Sequence, residues 1–201
     1  LRDSGDDLDA QTQHELIANL YESAEKTYHL LENLLEWSRS QQRSVTVSQR
    51  SIALREAIDE TIQLFHAGAR QKEIELSVDV GDELRVYADP DMLSTVLRNL
   101  VNNAIKFTEE GGTVTITARG LPETVELAVC DTGIGIEPDE LDSLFDLGAS
   151  ASRAGTGGER GSGLGLLLAH EYVERNGGSI DVESTPGEGS CFRVTLPAAP
   201  V

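Results

Sequence analysis

The sequence predicts an α+β protein, in which a long bundle helix precedes a two-layer α/β sandwich with a mixed, mostly antiparallel sheet. Three observations support this fold class. A heptad pattern runs without interruption through the first part of the chain. Several later segments alternate apolar and polar residues, as half-buried strands do. Amphipathic helical patterns lie between some of these strands, and such a succession packs one layer of helices on one sheet.

The heptad pattern occupies residues 11–42, which contain neither glycine nor proline. Seven residues fall at alternating spacings of three and four: Ile17, Leu20, Ala24, Thr27, Leu31, Leu34 and Ser38. Leu16, Leu30 and Leu35 widen this apolar stripe beyond that of a two-stranded coil, which favours a helical bundle. The stripe needs partner helices, from an upstream segment or from a second copy of the chain. We therefore expect residues 1–43 to end a dimerisation bundle and residues 44–201 to form a separate domain.

The second domain follows a regular order of elements. Val45-Thr46-Val47 predicts a strand, and Asp89-Pro90 predicts the start of a helix that reaches about Phe107, because proline is favoured in a first helical turn. Residues 146–162 are rich in glycine and serine and lack apolar periodicity, which predicts a mobile loop. The other predicted elements are helices at about 53–70 and 164–176 and strands at 74–80, 85–88, 114–118, 125–129, 179–183 and 191–196.

The composition limits the classes of partner. The chain has 201 residues with 16 basic and 35 acidic side chains, a formal net charge of −19. Nucleic-acid binding needs the opposite sign of charge, so we expect no DNA or RNA partner. No apolar run is long enough to cross a bilayer, and we expect a cytoplasmic domain. Leu1 falls in the middle of a pattern, which favours a piece of a longer protein and leaves an upstream sensor or membrane anchor open.

Cys130 and Cys191 both lie in strand-like sequence and lack the spacing of metal ligands. We expect two reduced thiols in the core, and a disulfide or redox switch is the alternative.

A polar face marks the helix that follows Pro90. Asn99, Asn103 and Lys106 are spaced four and three residues apart, so they share one side of the helix. An amide oxygen is a suitable ligand for Mg²⁺, and a lysine supplies a point charge for a phosphate. The alternative is a solvated helix face without a ligand.

An acidic turn follows the apolar strand at 125–129. The carboxylate of Asp131 can accept a hydrogen bond from an exocyclic amine, which would select adenine over guanine. Gly133 and Gly135 allow the backbone to approach a flat base closely. An ordinary Asp-Thr-Gly turn would explain this motif if it stood alone.

Another glycine cluster lies at the start of the helix predicted at 164–176. Gly161, Gly163 and Gly165 flank Leu164, where free N–H groups at a helix start suit a phosphate. The cluster lacks the Gly-Lys-Ser/Thr ending of a Walker loop and follows no strand, as a Rossmann motif must. Arg160 is placed to reach terminal phosphates, with a solvated loop charge as the alternative.

Four motifs occur in a fixed order: residues 99–107, 131–136, 144–146 and 161–166. In this order and spacing they resemble the ATP-binding domain of sensor histidine kinases, within the superfamily that also contains the gyrase and MutL ATPases. The resemblance covers nearly the whole chain. It implies a Bergerat-type ATP-binding fold, with ATP and Mg²⁺ as cofactors.

The resemblance also implies roles for individual residues. Asn103 would be the principal Mg²⁺ ligand, Asn99 a supporting polar group and Lys106 a phosphate contact; these three are the candidate catalytic residues. Relatives that hydrolyse ATP carry a glutamate at the position of Asn99, so the amide favours phosphoryl transfer over hydrolysis. The residues expected to bind the nucleotide are Phe107, Asp131, Gly133, Gly135, Arg160, Gly161, Gly163, Leu164 and Gly165.

The function implied is protein-histidine kinase activity in two-component signal transduction. The γ-phosphoryl of Mg²⁺-ATP would pass to a bundle histidine and then to an aspartate of a response-regulator receiver domain, with the full-length protein dimerising through its bundle. His14 begins a segment like the acceptor motif, but no Arg or Pro follows, so the acceptor is expected upstream of Leu1. The alternatives are a gyrase- or MutL-like conformational ATPase and a degenerate, non-catalytic dimerisation or signalling module.

Overall fold

The computed structural model describes residues 47–145, 155–157 and 164–200. These residues lie in the second of the two units into which the chain divides, Thr46–Val201. The predicted bundle helix, most of the predicted loop at 146–162, and Arg160, Gly161 and Gly163 lie outside the described residues. None of the helices in the described ranges is long and apolar enough to cross a membrane.

The described residues form seven strands and four helices. In chain order they are β1 (Arg50–Ala53), α1 (Leu54–Gln71), β2 (Glu75–Asp79), β3 (Arg85–Ala88), α2 (Pro90–Phe107), β4 (Thr113–Gly120), β5 (Thr124–Asp131), α3 (Pro138–Leu141), α4 (Gly165–Arg175), β6 (Ser179–Thr185) and β7 (Gly189–Pro197).

Five strands form one sheet in the order β2-β4-β5-β7-β6, and β1 pairs with β3 in a separate two-stranded sheet. Only the β2–β4 pair is parallel among these strands. The helices α2 and α4 contact each other and the sheet. The predicted α+β class with a mixed, mostly antiparallel sheet is confirmed.

The central helix α2 begins as the sequence predicts. The Asp89 side chain accepts hydrogen bonds from the backbone N–H groups of Asp91 and Met92, at 3.1 and 3.2 Å, and Pro90 occupies the first turn. The apolar side of the helix is buried against the sheet and the neighbouring helices: Val96, Leu97, Leu100, Val101, Ala104 and Ile105. This burial fixes the direction of the opposite, polar side.

Of the strand predicted at 45–47, only Val47 falls within the described residues. Val47 lies outside any strand, and β1 begins at Arg50, where it runs antiparallel to β3 with Ser51 opposite Tyr87. Pairing with β3 therefore sets the position of β1, because the residues of β1 alternate only weakly between apolar and polar. The short helix α3 was also not predicted.

The expectation of two reduced thiols is wrong as well. Cys130 of β5 and Cys191 of β7 are paired in a disulfide. The two cysteines are 61 residues apart in sequence, but the antiparallel register of β5 and β7 places them directly opposite each other. Strand pairing of this kind is not readable from the spacing of the cysteines.

The end of α1 contains a strained backbone position. Glu73 has φ of 53°, in the left-handed region that glycine adopts at low cost. The N–H of Glu73 donates to the Arg70 carbonyl at 3.1 Å, and the N–H of Ile74 donates to the Ala69 carbonyl at 2.9 Å. These bonds satisfy the last carbonyls of the helix only if Glu73 keeps this conformation.

We expect Glu73→Gly to raise the free energy of unfolding by about 1 kcal/mol, because glycine removes the cost of a left-handed conformation. Urea unfolding measures the change. Glu73→Ala is the matched control, since it removes the same exposed side chain but keeps the Cβ atom. Equal stability of the Gly and Ala variants would contradict the prediction.

Candidate functional site

The polar side of α2 presents two amides with different hydrogen bonding. Asn99 and Asn103 are both half-buried. Nδ2 of Asn99 donates to the Thr95 carbonyl at 2.9 Å, which fixes its side chain along the helix. The Asn103 amide makes no hydrogen bond to any part of the chain that the structure describes. Its oxygen can therefore bind a ligand without first breaking a hydrogen bond to any of the described residues.

Lys106 is less exposed than its place on the polar face of α2 predicted. The residue is only 8% exposed. Its Nζ atom lies 4.5 Å from the centroid of the Phe107 ring, a cation–π distance. Phosphate contact by Lys106 stays a prediction, and the contact with Phe107 couples the two residues at the end of α2.

Asp131 ends β5, and its carboxylate is held by two backbone groups. Oδ1 accepts hydrogen bonds from the N–H of Gly133 at 2.8 Å and from the N–H of Ser190 at 3.3 Å. Burial raises the pKa of the Asp131 carboxyl above its ordinary value of 3.8, and these two bonds oppose the rise in part. Oδ2 accepts no hydrogen bond from the described residues. The predicted hydrogen bond from an exocyclic amine would therefore go to Oδ2.

Gly133 joins the acidic turn to the end of α2. A Cβ atom at this buried glycine would collide with the Phe107 carbonyl oxygen. The neighbouring N–H of Ile134 donates to that same oxygen at 3.1 Å. The backbone of Phe107 and the turn after Asp131 therefore touch, which brings the amide motif and the acidic motif to one place.

Gly135 has φ of +68°, and a Cβ atom there would collide with the Thr185 carbonyl oxygen at the end of β6. Two requirements, the left-handed backbone and the close approach, both select glycine here.

The start of α4 packs on the amide face. A Cβ atom on Gly165 would collide with Oδ1 of Asn99. Leu164 is the N-cap residue, and its own apolar side chain makes no capping hydrogen bond. The first N–H groups of α4 are thus beside Asn99, as a phosphate site at a helix start would require.

Phe145, the last described residue before the segment 146–154, makes an aromatic contact. The ring of Phe145 lies 5.0 Å from the ring of His170 on α4, centroid to centroid, at an interplanar angle of 32°. This contact positions the end of the described stretch against α4.

The structure therefore connects most of the predicted site by direct contact. Gly165 meets Asn99 at one end of the polar face of α2, and Gly133 meets Phe107 at the other. Residues outside the four motifs also contribute, and sequence analysis missed them: Ser190, Thr156 and Lys72. Their partners in the site are 33 to 84 residues away in sequence, so no local pattern marks them.

Residues 88–200 match the model of the family described as histidine kinase-, DNA gyrase B- and HSP90-like ATPases. The chain belongs to this family. The match begins at the last residue of β3 and contains every predicted site residue.

Curated relatives narrow the family to sensor kinases. The chain is 32% identical over 193 residues to the adaptive-response sensory kinase SasA of Crocosphaera subtropica, covering 93% of this chain and 50% of the relative. It is also 32% identical over 190 residues to the sensor-like histidine kinase SenX3 of Mycobacterium tuberculosis, covering 94% and 46%. The chain thus spans half or less of the length of these relatives.

Solved structures agree with this assignment. Full-length ShkA in complex with AMPPNP has a TM-score of 0.80 at 27% identity, over 96% of this chain and 40% of that one. The catalytic domain of the histidine kinase ThkA has a TM-score of 0.66 at 30% identity, over 76% and 97%. The chain carries the ATPase domain of a sensor histidine kinase.

We expect Asp131→Asn to weaken ATP binding by about tenfold or more, since a hydrogen bond to a charged acceptor contributes about 1.5–3 kcal/mol. The Asn oxygen can keep the bond from Gly133, but its NH₂ group would then face the adenine amine. Calorimetric titration with ATP and GTP measures the loss of affinity and of base selectivity. Asp181→Asn is the control, because it removes the same charge from an exposed position of β6.

The same variant tests the raised pKa. The folded state holds the Asp131 proton more tightly than the unfolded state, so stability falls as the pH rises from 3.8 through the folded-state pKa and stays lower above it. Asp131→Asn should therefore be as stable as the unmodified chain or more stable at pH 7. Its advantage should shrink as the pH falls through the raised pKa towards 3.8. A growing advantage at lower pH would contradict the assignment.

We expect Gly165→Ala to lower the free energy of unfolding by about 1–3 kcal/mol, because the added methyl group forces Asn99 or α4 to move. Gly68→Ala in α1 is the matched control, since nothing lies within 4 Å of a Cβ atom there. That variant should gain up to about 1 kcal/mol from helix propensity. The contact between Asn99 and α4 is refuted if both variants are stabilised alike in urea unfolding.

Proposed function

We propose that this domain binds Mg²⁺-ATP and transfers its γ-phosphoryl group to a histidine of a helical bundle upstream of the chain. The observation that carries the proposal is a set of contacts on α2: Gly165 lies against Asn99 at one end of its polar face, and Gly133, which donates to Asp131, lies against Phe107 at the other. This set supplies an adenine acceptor at one end and a helix start for phosphate at the other.

Each part of this site has a defined task. Oδ2 of Asp131 accepts from the adenine amine, and Gly133 lets the backbone approach the base. The task of the domain is to orient the nucleotide and to surround its phosphates with N–H groups and positive charge, since phosphoryl transfer depends mainly on positioning and electrostatics.

The donor set suits a magnesium ion that is held mainly by phosphates. No group of three or more His, Cys, Asp or Glu side chains in the described residues could hold a metal alone. Mg²⁺ keeps waters and phosphate oxygens in nucleotide sites and needs only one or two protein oxygens. The Asn103 amide, which has no partner among the described residues, can supply one of them. The ion would neutralise phosphate charge there.

Transfer is favoured over steady hydrolysis by the side chain at position 99. An amide cannot accept a proton from an attacking water, as a carboxylate general base can. Nδ2 of Asn99 is also bonded to the Thr95 carbonyl, and its Oδ1 lies against Gly165. This arrangement suits a positioning group.

The proposal extends to the rest of the protein. Residues 1–43 would be the last helix of the dimerisation bundle, and residues 44–201 the catalytic domain. The phosphoryl group would pass from the bundle histidine to an aspartate of a response regulator. A structure of the histidine kinase ThkA in complex with the response regulator TrrA matches 96% of this chain at 26% identity, with a TM-score of 0.75.

The test is incorporation of label from γ-labelled Mg²⁺-ATP into this chain and into a form extended upstream through one more helix. We expect acid-labile, base-stable label only in the extended form. Asn103→Ala in that form should reduce labelling by at least about a hundredfold, as expected for a lost magnesium ligand. Asn102→Ala is the matched control, because it removes an adjacent, exposed amide of the same helix.

Other outcomes identify the rival functions. Label on this chain itself would move the acceptor to an internal residue, with His14 as the first candidate. Steady ATP hydrolysis without label would favour the conformational ATPase, and absence of ATP binding would favour a degenerate signalling module.

A further inference from the structure

Lys72, the residue that follows α1, reaches the end of a different helix. Its Nζ atom donates to the carbonyl oxygens of Ile105 and Lys106, at 2.9 and 3.0 Å, and to Oγ1 of Thr156 at 2.7 Å. An ammonium group carries three N–H donors, enough for these three oxygens. The positive charge lies at the carboxyl end of α2, where the helix dipole favours a cation.

Thr156 is bound to the same helix end through its own groups. Its backbone N–H donates to the Lys106 carbonyl at 3.1 Å, and its hydroxyl lies 2.7 Å from the Thr108 carbonyl, as a donor. The described residues 155–157 are therefore attached to the last turn of α2 and to Lys72 at once.

This last turn carries two of the predicted nucleotide contacts. Lys106 and Phe107 belong to it, and the Phe107 carbonyl accepts from Ile134 in the turn after Asp131. A shift of the turn would move Lys106, Phe107 and the Asp131 turn together. The bonds made by Lys72 and Thr156 oppose such a shift.

We propose that Lys72 and Thr156 are positioning residues for nucleotide binding, and that the Lys72 ammonium ties Thr156 to the turn that bears Lys106 and Phe107. The inference deepens the proposed function and rests on it. A simpler role for Lys72 is to cap α2 and stabilise the fold. The two roles differ in what the loss of the Thr156 hydroxyl does, because both Lys72 bonds to α2 survive that loss.

The experiment measures the Kd for Mg²⁺-ATP by calorimetry, together with urea unfolding without nucleotide. The variants are Thr156→Val, Thr156→Ser, Lys72→Met and the double variant Lys72→Met/Thr156→Val. We expect Thr156→Val to raise Kd about fivefold to tenfold and to lower the unfolding midpoint less than Lys72→Met does, since it removes the bond from Lys72 and the bond to the Thr108 carbonyl but keeps both Lys72 bonds to α2. Thr156→Ser keeps the hydroxyl and should return Kd to within about twofold of the unmodified chain.

Lys72→Met should also raise Kd, and it should lower stability because it removes the cap. The double variant should bind ATP no more weakly than Lys72→Met alone, because residues that act through one contact are not additive.

The inference is overturned if Thr156→Val binds ATP as the unmodified chain does, or if the effects of the two substitutions on Kd simply multiply. Failure of the unmodified chain to bind Mg²⁺-ATP would overturn the proposed function and this inference with it. Normal binding with an unaffected Thr156→Val variant would overturn the inference alone.

Discussion

The site depends on the carbonyl groups at the end of α2. The last carbonyls of any helix lack intrahelical partners and must find others. Here each partner comes from a different part of the fold: Ile134 supplies an N–H to Phe107, while Thr156 and Lys72 both donate to Lys106. A requirement of backbone hydrogen bonding therefore assembles the nucleotide site. Any change that lengthened or frayed this helix would disturb all of these attachments together.

A second constraint is the half-buried charge of Asp131. Burial raises its pKa, so the charged carboxylate destabilises the folded protein at neutral pH relative to a neutral side chain of the same shape. Among the residues that the structure describes, hydrogen bonds reach Oδ1 alone, from Gly133 and Ser190. A group that is incompletely satisfied in the free protein can gain from a ligand, and functional sites commonly retain such groups.

Sequence patterns predicted the elements that rest on local rules. Asp89-Pro90 and the apolar spacing placed α2, since capping and periodicity are local properties. The four motifs indicated the family and most of the residues that the structure brings into contact. Arg160, Gly161 and Gly163 lie outside the described residues, and their roles stay predictions.

Features set by long-range pairing were not predictable in this way. The position of β1 depends on β3, and the Cys130–Cys191 disulfide depends on the register of β5 with β7. The contacts of Ser190 and Thr156 with the site likewise join distant segments. The left-handed Glu73 was missed because glutamate is not a residue that marks such a position.

The pairing of β5 with β7 also has a consequence for synthesis of the protein. Asp131 receives its second hydrogen bond from Ser190, a residue 59 positions later in the chain. Asp131, the proposed adenine acceptor, therefore lacks this bond while the ribosome is still producing the residues between them, and β5 lacks β7, one of its two neighbouring strands. Contacts of such large sequence separation form late in folding. A growing chain would acquire nucleotide binding only when β7 has emerged, so ligand capture would follow completion of the sheet.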